Sequence, residues 1–439
     1  MNIFSSYSVK IKHYNKIFNN TVKLYRQAVD FFINVCLNEW DNIQQLDKHL
    51  EKKSYIENIS HKTKNRPFVK YDFDIDFYKF PTYLRRAAIA EALGLVSSYK
   101  SNYANWELEK VGKEPSKPRA GVVYPCLYRD NTFIRIDDYT AAVKVFINNT
   151  WDWITINLKK SDVDYILHHC SLRKECCPTL QKRGKEWFLD FSFKEKVNLN
   201  DAKVFDRKIV AVDLGINTPA TISVMLSDGT ILDRFFCKLP KEQDSLLHSV
   251  NRIKKAQQNG NRRTPRLWAK VNGINKNIAV KTAQFIIDVA VLYDTDVIVF
   301  EHLDLNGKKK GSKKQKLHLW RSREVQNIVA NKAHRLGMRV SHVNAWGTSK
   351  LAYDGTGRVL RGKYGNHKSY ELCTFTTGKV YNCDLSASYN IGARYFIREI
   401  LKSLPAKARL QMEAKVPSIC KRSTCTFSTL ISLNTALVA

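Results

Sequence analysis

The sequence predicts a multidomain α/β protein, and its length, its changing hydrophobic pattern and its charge all support that fold class. At roughly 150 residues per domain, the 439 residues suggest two to four domains. The spacing of apolar residues changes along the chain from helical, to alternating, to strands and helices in turn. Hydrophobic residues make up 44% of the chain and the formal net charge is +31, so we expect a folded protein with a cationic surface.

The first quarter of the chain is predicted to be a strand followed by a helical domain. "SYSVKIKHYN", within residues 1–15, is typical of a strand. The apolar residues that follow recur at helical spacing: Val22, Tyr25, Val29 and Phe32. A second long helix is expected from Pro81, because a proline in the first helical turn loses no hydrogen bond. Residues 16–116 are therefore predicted to form a helical domain, which ends in the linker "VGKEPSKPRAG".

The next segment, residues 117–203, is predicted to be rich in strands. In "EWFLDFSFKEK" apolar and polar side chains alternate, so one face of the strand is expected in a core. The predicted core face contains Trp187, Leu189, Phe191 and Phe193. The opposite face contains Asp190, Ser192 and Lys194. We expect a β-barrel or a sandwich, which the first strand could join.

Strands and helices alternate from residue 204 onward, as in an α/β layer. The predicted strands are "KIVAVDLGI", "TISVMLSDGTILDRFF", "DVIVFEHL" and "MRVSHVNAW". The predicted helices are residues 244–293, "SREVQNIVANKAHRLG" and "DLSASYNIGARYFIREILKSL".

Three acidic residues stand where functional groups gather in an α/β sheet. Asp213 and Glu301 each end an apolar strand, and Asp384 lies in the first turn of the last helix. Buried carboxylates repel one another unless a hard divalent cation neutralises them, and Mg²⁺ prefers such oxygen ligands. Two Mg²⁺ ions about 4 Å apart, bridged by Asp213, would support phosphodiester hydrolysis, and the glycine after Asp213 would leave room for the phosphate. Taken singly, each acid could instead be a turn former or a helix cap.

The segments around the three acids resemble the split motifs of a known nuclease domain. "IVAVDLGINTPAT", "VIVFEHLDL" and "NCDLSASYNIGAR" resemble, in order and separation, the three RuvC motifs of TnpB proteins and compact type V CRISPR effectors. "AWGTSKLAYDGTG" resembles the "TS" segment that opens the small target-strand module of that family. The resemblance covers about residues 205 to 400 and implies an RNase H-like RuvC core in residues 204–345 and 384–439, with a target-nucleic-acid-binding insert in residues 346–383.

The same resemblance implies the remaining domains and the function. The helical block would be the recognition domain, and residues 1–15 and 117–203 a wedge β-barrel. Asp213, Glu301 and Asp384 would be the metal-binding catalytic acids of an RNA-guided DNA endonuclease. Its partners would be a guide RNA and a double-stranded DNA target. Two alternatives are a guide-independent RNase H-like nuclease or transposase, and a nuclease-inactive RNA-guided repressor.

The resemblance fails at the zinc ribbon that many family members carry in the insert. The two knuckle positions are "LAYDG" and "LCTFTTGK". Thr376 stands at the position where a CxxC pair would have the partner of Cys373, and Cys383 also lacks a matching cysteine. Four tetrahedral ligands cannot be assembled from these residues. We therefore expect no zinc, and a module that packing holds together. The ten cysteines are scattered without any CxxC pair, which is typical of reduced thiols.

Basic residues cluster between the predicted catalytic strands. Residues 251–281 contain nine Lys or Arg and no acid, and residues 306–340 contain eleven against a single Glu. These cations are predicted to flank the cleft and bind phosphates, although a solvated surface is the alternative. The predicted nucleic-acid-binding residues are Arg252, Lys254, Lys255, Arg262, Arg263, Arg266, Lys270, Lys308, Lys309, Lys310, Arg321 and Arg323.

Tryptophan and arginine side chains add further candidates. Trp268 and Trp320 could stack on bases or be buried in a core. Arg85 and Arg86 could clamp a phosphate or simply lie on the surface.

The charge and the apolar pattern argue against a membrane partner. No apolar run approaches the roughly 20 residues of a membrane span, and the first residues lack the apolar core of a secretory signal. We therefore expect the protein in the prokaryotic cytoplasm, associated with nucleic acid.

Overall fold

The fold is described here from a computed structural model. It describes residues 1–13, 16–110, 112–303, 319–365, 367, 369 and 371–438. The chain divides into two compact units, residues 2–195 and, together with Met1, residues 196–439. Among the described residues, no helix combines the length and apolar character that crossing a membrane requires.

Helices dominate the first half of unit 2–195. They are α1 Ile17–Asn38, α2 Trp40–Gln44, α3 His49–Ser60, α4 Phe73–Asp76, α5 Thr82–Glu109 and, between later strands, α6 Lys160–Cys170. The helical spacing predicted for α1 is confirmed, because Val22, Tyr25, Val29 and Phe32 are all buried. The initial strand was placed too late by the sequence pattern, since it spans Asn2–Lys10.

The strands of this unit form two antiparallel sheets. They are β1 Asn2–Lys10, β2 Phe133–Arg135, β3 Thr140–Ile147, β4 Thr150–Asn157, β5 Lys174–Glu175, β6 Thr179–Arg183 and β7 Glu186–Lys196. One sheet has the order β1-β7-β5, with β6 also pairing with β7, and the other has the order β2-β3-β4. The alternation predicted for β7 is confirmed, because the four side chains of its predicted core face are buried in a core shared with the helices.

The buried carboxylate of Glu39, between α1 and α2, is held by four donors. Lys70 Nζ donates at 2.5 Å, the Tyr71 hydroxyl at 2.8 Å, the Tyr55 hydroxyl at 2.9 Å and Asn42 Nδ2 at 3.0 Å. The hydrogen bond from Lys70 and those from the other donors lower the pKa of Glu39 from 4.5 to about 2, against the opposing effect of burial.

This network makes the stability of unit 2–195 dependent on acid pH. Because the folded-state pKa of Glu39 is depressed, its contribution is complete above pH 4.5 and is lost as the pH falls toward 2. Glu39→Gln is therefore expected to lower the unfolding free energy by about 1–3 kcal/mol at neutral pH and by less at low pH. Urea unfolding at the two pH values tests this. Glu51→Gln, at an exposed ion pair, is the control, and an equal loss for both variants would contradict the prediction.

The second unit is built on a five-stranded mixed sheet. Its strands are β8 Ile209–Asp213, β9 Ala220–Met225, β10 Ile231–Cys237, β11 Val297–His302 and β12 Arg339–Asn344. Their order is β10-β9-β8-β11-β12, in which β8, β11 and β12 are parallel and β9 is antiparallel to both of its neighbours. The predicted segment "TISVMLSDGTILDRFF" is thus two strands, β9 and β10, joined by a turn at Gly229 with φ +93°.

Helices cover both faces of this sheet. They are α7 Pro240–Gln258, α8 Pro265–Leu292, α9 Ser322–Arg335, α10 Cys383–Ser403, α11 Ala406–Lys415 and α12 Phe427–Val438. α10 packs on one face, and α8 and α9 pack on the other. The prediction of one helical stretch over residues 244–293 is wrong, because Gly260 adopts φ +84° and Pro265 begins a new helix. A separate small sheet contains β13 Leu360–Arg361, β14 Leu372–Thr374 and β15 Val380–Asn382.

Candidate active site

The carboxyl ends of β8 and β11 place Asp213 and Glu301 side by side. The two strands are parallel neighbours in which Val212 pairs with Phe300, so Asp213 and Glu301 are the next residues in register. Alternation then sets the face. Val212 belongs to the core under α8 and α9, whereas Ala211 belongs to the core under α10. Asp213 and Glu301 therefore lie on the α10 face of the sheet.

The start of α10 brings Asp384 to the same end of the sheet. The side-chain oxygen of Asn382 accepts a hydrogen bond from the Leu385 N–H at 2.9 Å, so Asn382 is the N-cap and Asp384 lies in the first turn. The alternative role of Asp384 as a helix cap is thus wrong. α10 approaches the sheet closely at Gly392, where a Cβ atom would lie 3.2 Å from the Cβ of Ala211.

Glu301 and Asp384 both act electrostatically on Asp213. Burial raises the pKa of Asp213 well above its ordinary value, and the negative charges of Glu301 and Asp384 raise it further. Burial also raises the pKa of Glu301 and the pKa of Asp384. Three acids from distant segments are therefore gathered where each resists ionisation, an arrangement that favours a neutralising cation.

One hydrogen bond and one nearby positive charge stabilise the Glu301 carboxylate. The buried Thr348 hydroxyl donates to Glu301 Oε1, and this hydrogen bond opposes the rise in the pKa of Glu301. Arg394 adds a nearby positive charge that acts in the same direction. Asn390 in turn fixes the segment that carries Thr348, because its Nδ2 donates to the carbonyls of Thr348 and Leu351, both at 2.9 Å.

Arg361, from β13 in the small sheet, supplies positive charge to the other two acids. It lowers the pKa of Asp213 and the pKa of Asp384 against the effect of their burial. Its Nη2 donates to the carbonyl of Ser349, and its buried Nε has no hydrogen-bond partner among the described residues. Part of the guanidinium thus remains able to bind another acceptor.

The residues around Asp213 suit a hard cation, although the described side chains do not form a ready-made ligand cluster. Thr221 is the cross-strand partner of Asp213, and its buried hydroxyl has no partner in the part of the chain that is described. As the side chains stand, no group of three or more His, Cys, Asp or Glu among the described residues is arranged to hold a metal ion. Oxygen donors with raised pKa values and an orphaned hydroxyl nevertheless match the ligand chemistry of Mg²⁺.

Gly215, two residues after Asp213, is required by the conformation of the turn that follows β8. A Cβ on Gly215 would lie 2.5 Å from the backbone oxygen of Thr218, so the turn that follows β8 requires a glycine there. The role of leaving room for a phosphate stays a prediction.

The insert is held by a small apolar cluster that contains two cysteines. Cys373 and Cys383 are buried with Ala352 and Phe375, and the two thiols share a hydrogen bond. This cluster includes residues of β14 and β15 and of the segments beside them.

The predicted nucleic-acid-binding residues divide into three groups. Those of α7, α8 and the connection between them are exposed: Arg252, Lys254, Lys255, Arg262, Arg263, Arg266 and Lys270. Arg321 is partly buried and pairs with Glu324 at 2.6 Å, whereas Arg323 is exposed. Lys308, Lys309 and Lys310 lie outside the described residues. Their contact with nucleic acid stays a prediction.

The other candidates turn out to be partly structural. Trp268 packs in the small core between α7 and α8, whereas Trp320 is half-buried beside the core under α8 and α9. Arg85 is buried and pairs with Glu57 at 2.9 Å, and Arg86 pairs with the same carboxylate at 3.2 Å, so the surface role considered for Arg85 is wrong.

Comparisons with known proteins identify a matching family model and two sequence relatives. Residues 5–147 match the Aq_aa04 family. The chain is 29% identical over 238 residues to the TnpB-like protein aq_aa05 of Aquifex aeolicus (strain VF5), covering 48% of this chain and 74% of that protein. It is also 29% identical over 136 residues to the uncharacterized protein aq_aa04 of the same organism, covering 27% of this chain and 74% of that protein.

One solved structure aligns with most of this chain, but at a low TM-score. It is a cryo-EM structure of a Cas12f1-sgRNA-target DNA complex, at 15% identity and a TM-score of 0.32, covering 89% of this chain and 98% of that one. The relation to TnpB proteins expected from the three motifs is confirmed by the sequence relative that bears that description.

Proposed function

We infer that this chain, a relative of the TnpB-like proteins, is an RNA-guided DNA endonuclease with a single carboxylate active site. The observation that carries the proposal is the convergence of Asp213, Glu301 and Asp384 at one end of the mixed sheet. The pKa of each of these three carboxyl groups is raised there. Pairing between guide RNA and DNA would supply sequence specificity. The protein would bind the heteroduplex and recognise it by its shape.

The domain assignment is part of the same proposal. The strand order β10-β9-β8-β11-β12, with helices on both faces, supports an RNase H-like RuvC core formed by residues 204–345 and 384–439. The small sheet supports an insert in residues 346–383 that would contact the target nucleic acid. The helices and antiparallel sheets of unit 2–195 would be the recognition domain and the wedge barrel.

The carboxylates of Asp213, Glu301 and Asp384 would hold Mg²⁺, and Asp213 lies on the rigid strand β8. When bound, two such ions supply the neutralising charge for attack of water on a phosphodiester and departure of the 3′ oxygen. The protein's own part is positioning. Thr348 fixes the orientation of Glu301, and α10 presents Asp384 from its first turn. Arg361, with an unpartnered Nε, would donate to a phosphate oxygen.

The cationic hairpin of α7 and α8 would bind the nucleic-acid backbone. Its exposed Lys and Arg side chains neutralise phosphates, and each neutralised phosphate releases counterions. Affinity for RNA and DNA is therefore expected to fall steeply with salt. The net charge of +31 suits a protein that holds both polymers.

Plasmid cleavage with Mg²⁺, with and without the RNA that co-purifies with the protein, tests the proposed function. Cleavage is expected only when RNA and Mg²⁺ are both present, and Asp213→Ala is expected to abolish it while RNA-dependent DNA binding remains. Cleavage without RNA would support the guide-independent nuclease instead. RNA-dependent binding without any cleavage would support the repressor, and equal cutting by Asp213→Ala would refute the site assignment.

A further inference from the structure

A cavity of about 580 Å³ lies beside the loop that follows Asp213, and the proposed catalytic groups do not use it. Residues 214–219 form one wall of the cavity, and α7 and α8 form two more. Residues 319–322 and the start of α9 form the remaining wall. Its size is typical of pockets that bind small organic groups. The walls are largely apolar, with Ile216 and Leu247 exposed within a strongly cationic unit.

Two polar residues that line the cavity each have a side-chain atom without a hydrogen-bond partner among the described residues. Ser322 is only 2% exposed, and its hydroxyl has no hydrogen-bond partner among the described residues. A buried, unpaired hydroxyl is unfavourable unless a ligand satisfies it. Asn275, 6% exposed, donates its amide to the carbonyl of Leu319, while its side-chain oxygen accepts from none of the described residues. The cavity therefore offers both a donor and an acceptor.

A flat aromatic side chain and a cationic rim define the chemistry of the occupant. Trp320 lines the cavity and is half-buried, so part of its ring is accessible. Lys254 and Arg321 lie at the rim together with the exposed Asp244, and Arg321 forms an ion pair with Glu324 at 2.6 Å. An aromatic face, a few hydrogen-bonding groups and nearby cations match an unpaired nucleobase with its phosphate.

The position of the cavity links it to the proposed active site. The loop of residues 214–219 begins at Asp213, whose side chain lies on the α10 face, whereas Leu214 lies on the opposite face and lines the cavity. A single strand that crosses this edge of the sheet with one phosphate at Asp213 would leave a neighbouring nucleotide over the cavity.

We propose that this cavity binds one unpaired base of single-stranded DNA next to the phosphate at the carboxylates, an inference that rests on the proposed function. The base stacks on Trp320, and its edge bonds to Ser322 and Asn275. Lys254 contacts the adjoining phosphate. Because every base has a stacking face, this binding tolerates any sequence.

The test compares two single-stranded oligonucleotides in EDTA, bound to the full-length protein with its co-purified RNA. One is an oligothymidylate of about 20 nucleotides and the other is an abasic strand of the same length, neither able to pair with the RNA. Trp320→Leu is expected to weaken oligothymidylate binding about five- to a hundredfold, and Ser322→Ala a fewfold. Binding of the abasic strand is expected to be unchanged in both variants.

Two controls keep the result independent of folding. Ser322→Ala removes a hydroxyl that has no hydrogen-bond partner in the described part of the chain, so the melting temperature of this variant is expected to stay at or above that of the wild type. Ser223→Ala removes another buried, unpartnered hydroxyl that does not line the cavity, and it is expected to bind both strands normally.

The outcomes separate this inference from the proposed function. If both cavity variants bind the two oligonucleotides as the wild type does, the base pocket is wrong, even if Asp213-dependent cleavage is intact. If the variants lose the preference for bases but no RNA-dependent cleavage is found, the pocket is supported and the proposed nuclease function is wrong.

Discussion

Asp213→Asn is expected to abolish DNA cleavage and, in EDTA, to raise the melting temperature of the protein. Burial and the charges of Glu301 and Asp384 raise the pKa of Asp213, so its ionised form destabilises the folded state. Asparagine keeps the shape of the side chain without the charge. Loss of one preorganised electrostatic group at a reacting centre lowers the rate by at least about a hundredfold. Activity and stability should therefore change in opposite directions.

The direction of the pH dependence follows from the raised pKa. Between the ordinary and the folded-state pKa of Asp213, the folded protein binds more protons than the unfolded chain does, so stability falls as the pH rises through this window. In EDTA, the melting temperature of the wild type should fall from weakly acidic to neutral pH. Asp213→Asn should remove part of that slope, and Mg²⁺ should stabilise the wild type more than the variant.

A surface acid of the same unit provides the matched control. Asp288 is exposed on α8 and, among the described residues, accepts one hydrogen bond, from Gln284 at 2.7 Å. Asp288→Asn is expected to leave both cleavage and melting temperature unchanged. A lower melting temperature for Asp213→Asn in EDTA would show that the carboxylate stabilises the fold, and the repulsion argued here would be wrong.

The acids were predictable from the sequence because their positions depend on local pattern and one general rule. An apolar run such as "IVAVD" predicts a buried strand, and the ends of parallel strands meet at one edge of a sheet. The motif resemblance supplied Asp384, whose place depends on how α10 crosses the sheet. The break between α7 and α8 was missed by the prediction of one helix over residues 244–293, although "NGNRRTP" contains a glycine and a proline that end and begin helices.

The supporting residues could not be found in this way. Arg361 reaches the acids from a short strand in an irregular segment, and no hydrophobic period predicts where such a strand packs. Thr348 was within the "TS" segment, but the sequence does not indicate that its hydroxyl donates to Glu301. Arg394 lies in an amphipathic helix, where a positive charge ordinarily predicts a solvent-facing position, yet it is 5% exposed. These contacts depend on tertiary packing between segments that are distant in sequence.

Gly392→Ala is expected to destabilise the second unit, although alanine is normally the better helix residue. A Cβ at this position would lie in steric overlap with the sulfur of Met225 and 3.2 Å from the Cβ of Ala211. Overpacking of a buried helix–sheet contact costs about 1–3 kcal/mol. Gly273 in α8 has no atom within 4 Å of the same Cβ position, so Gly273→Ala should instead stabilise by up to about 1 kcal/mol. Thermal and urea unfolding of the two variants give the comparison.

Removal of the Met225 side chain tests whether the close approach is the cause. In a Met225→Ala background the overlapping sulfur is gone, whereas the contact with Ala211 remains. Gly392→Ala should therefore cost less there than in the wild type, since neighbouring substitutions are not additive. Because α10 also carries Asp384, the Gly392→Ala variant, in which α10 is pushed away from the sheet, should cut DNA more slowly. The double variant should recover part of the cleavage rate. An equal cost of Gly392→Ala in both backgrounds would mean that α10 does not depend on glycine for its distance from β8 and β9.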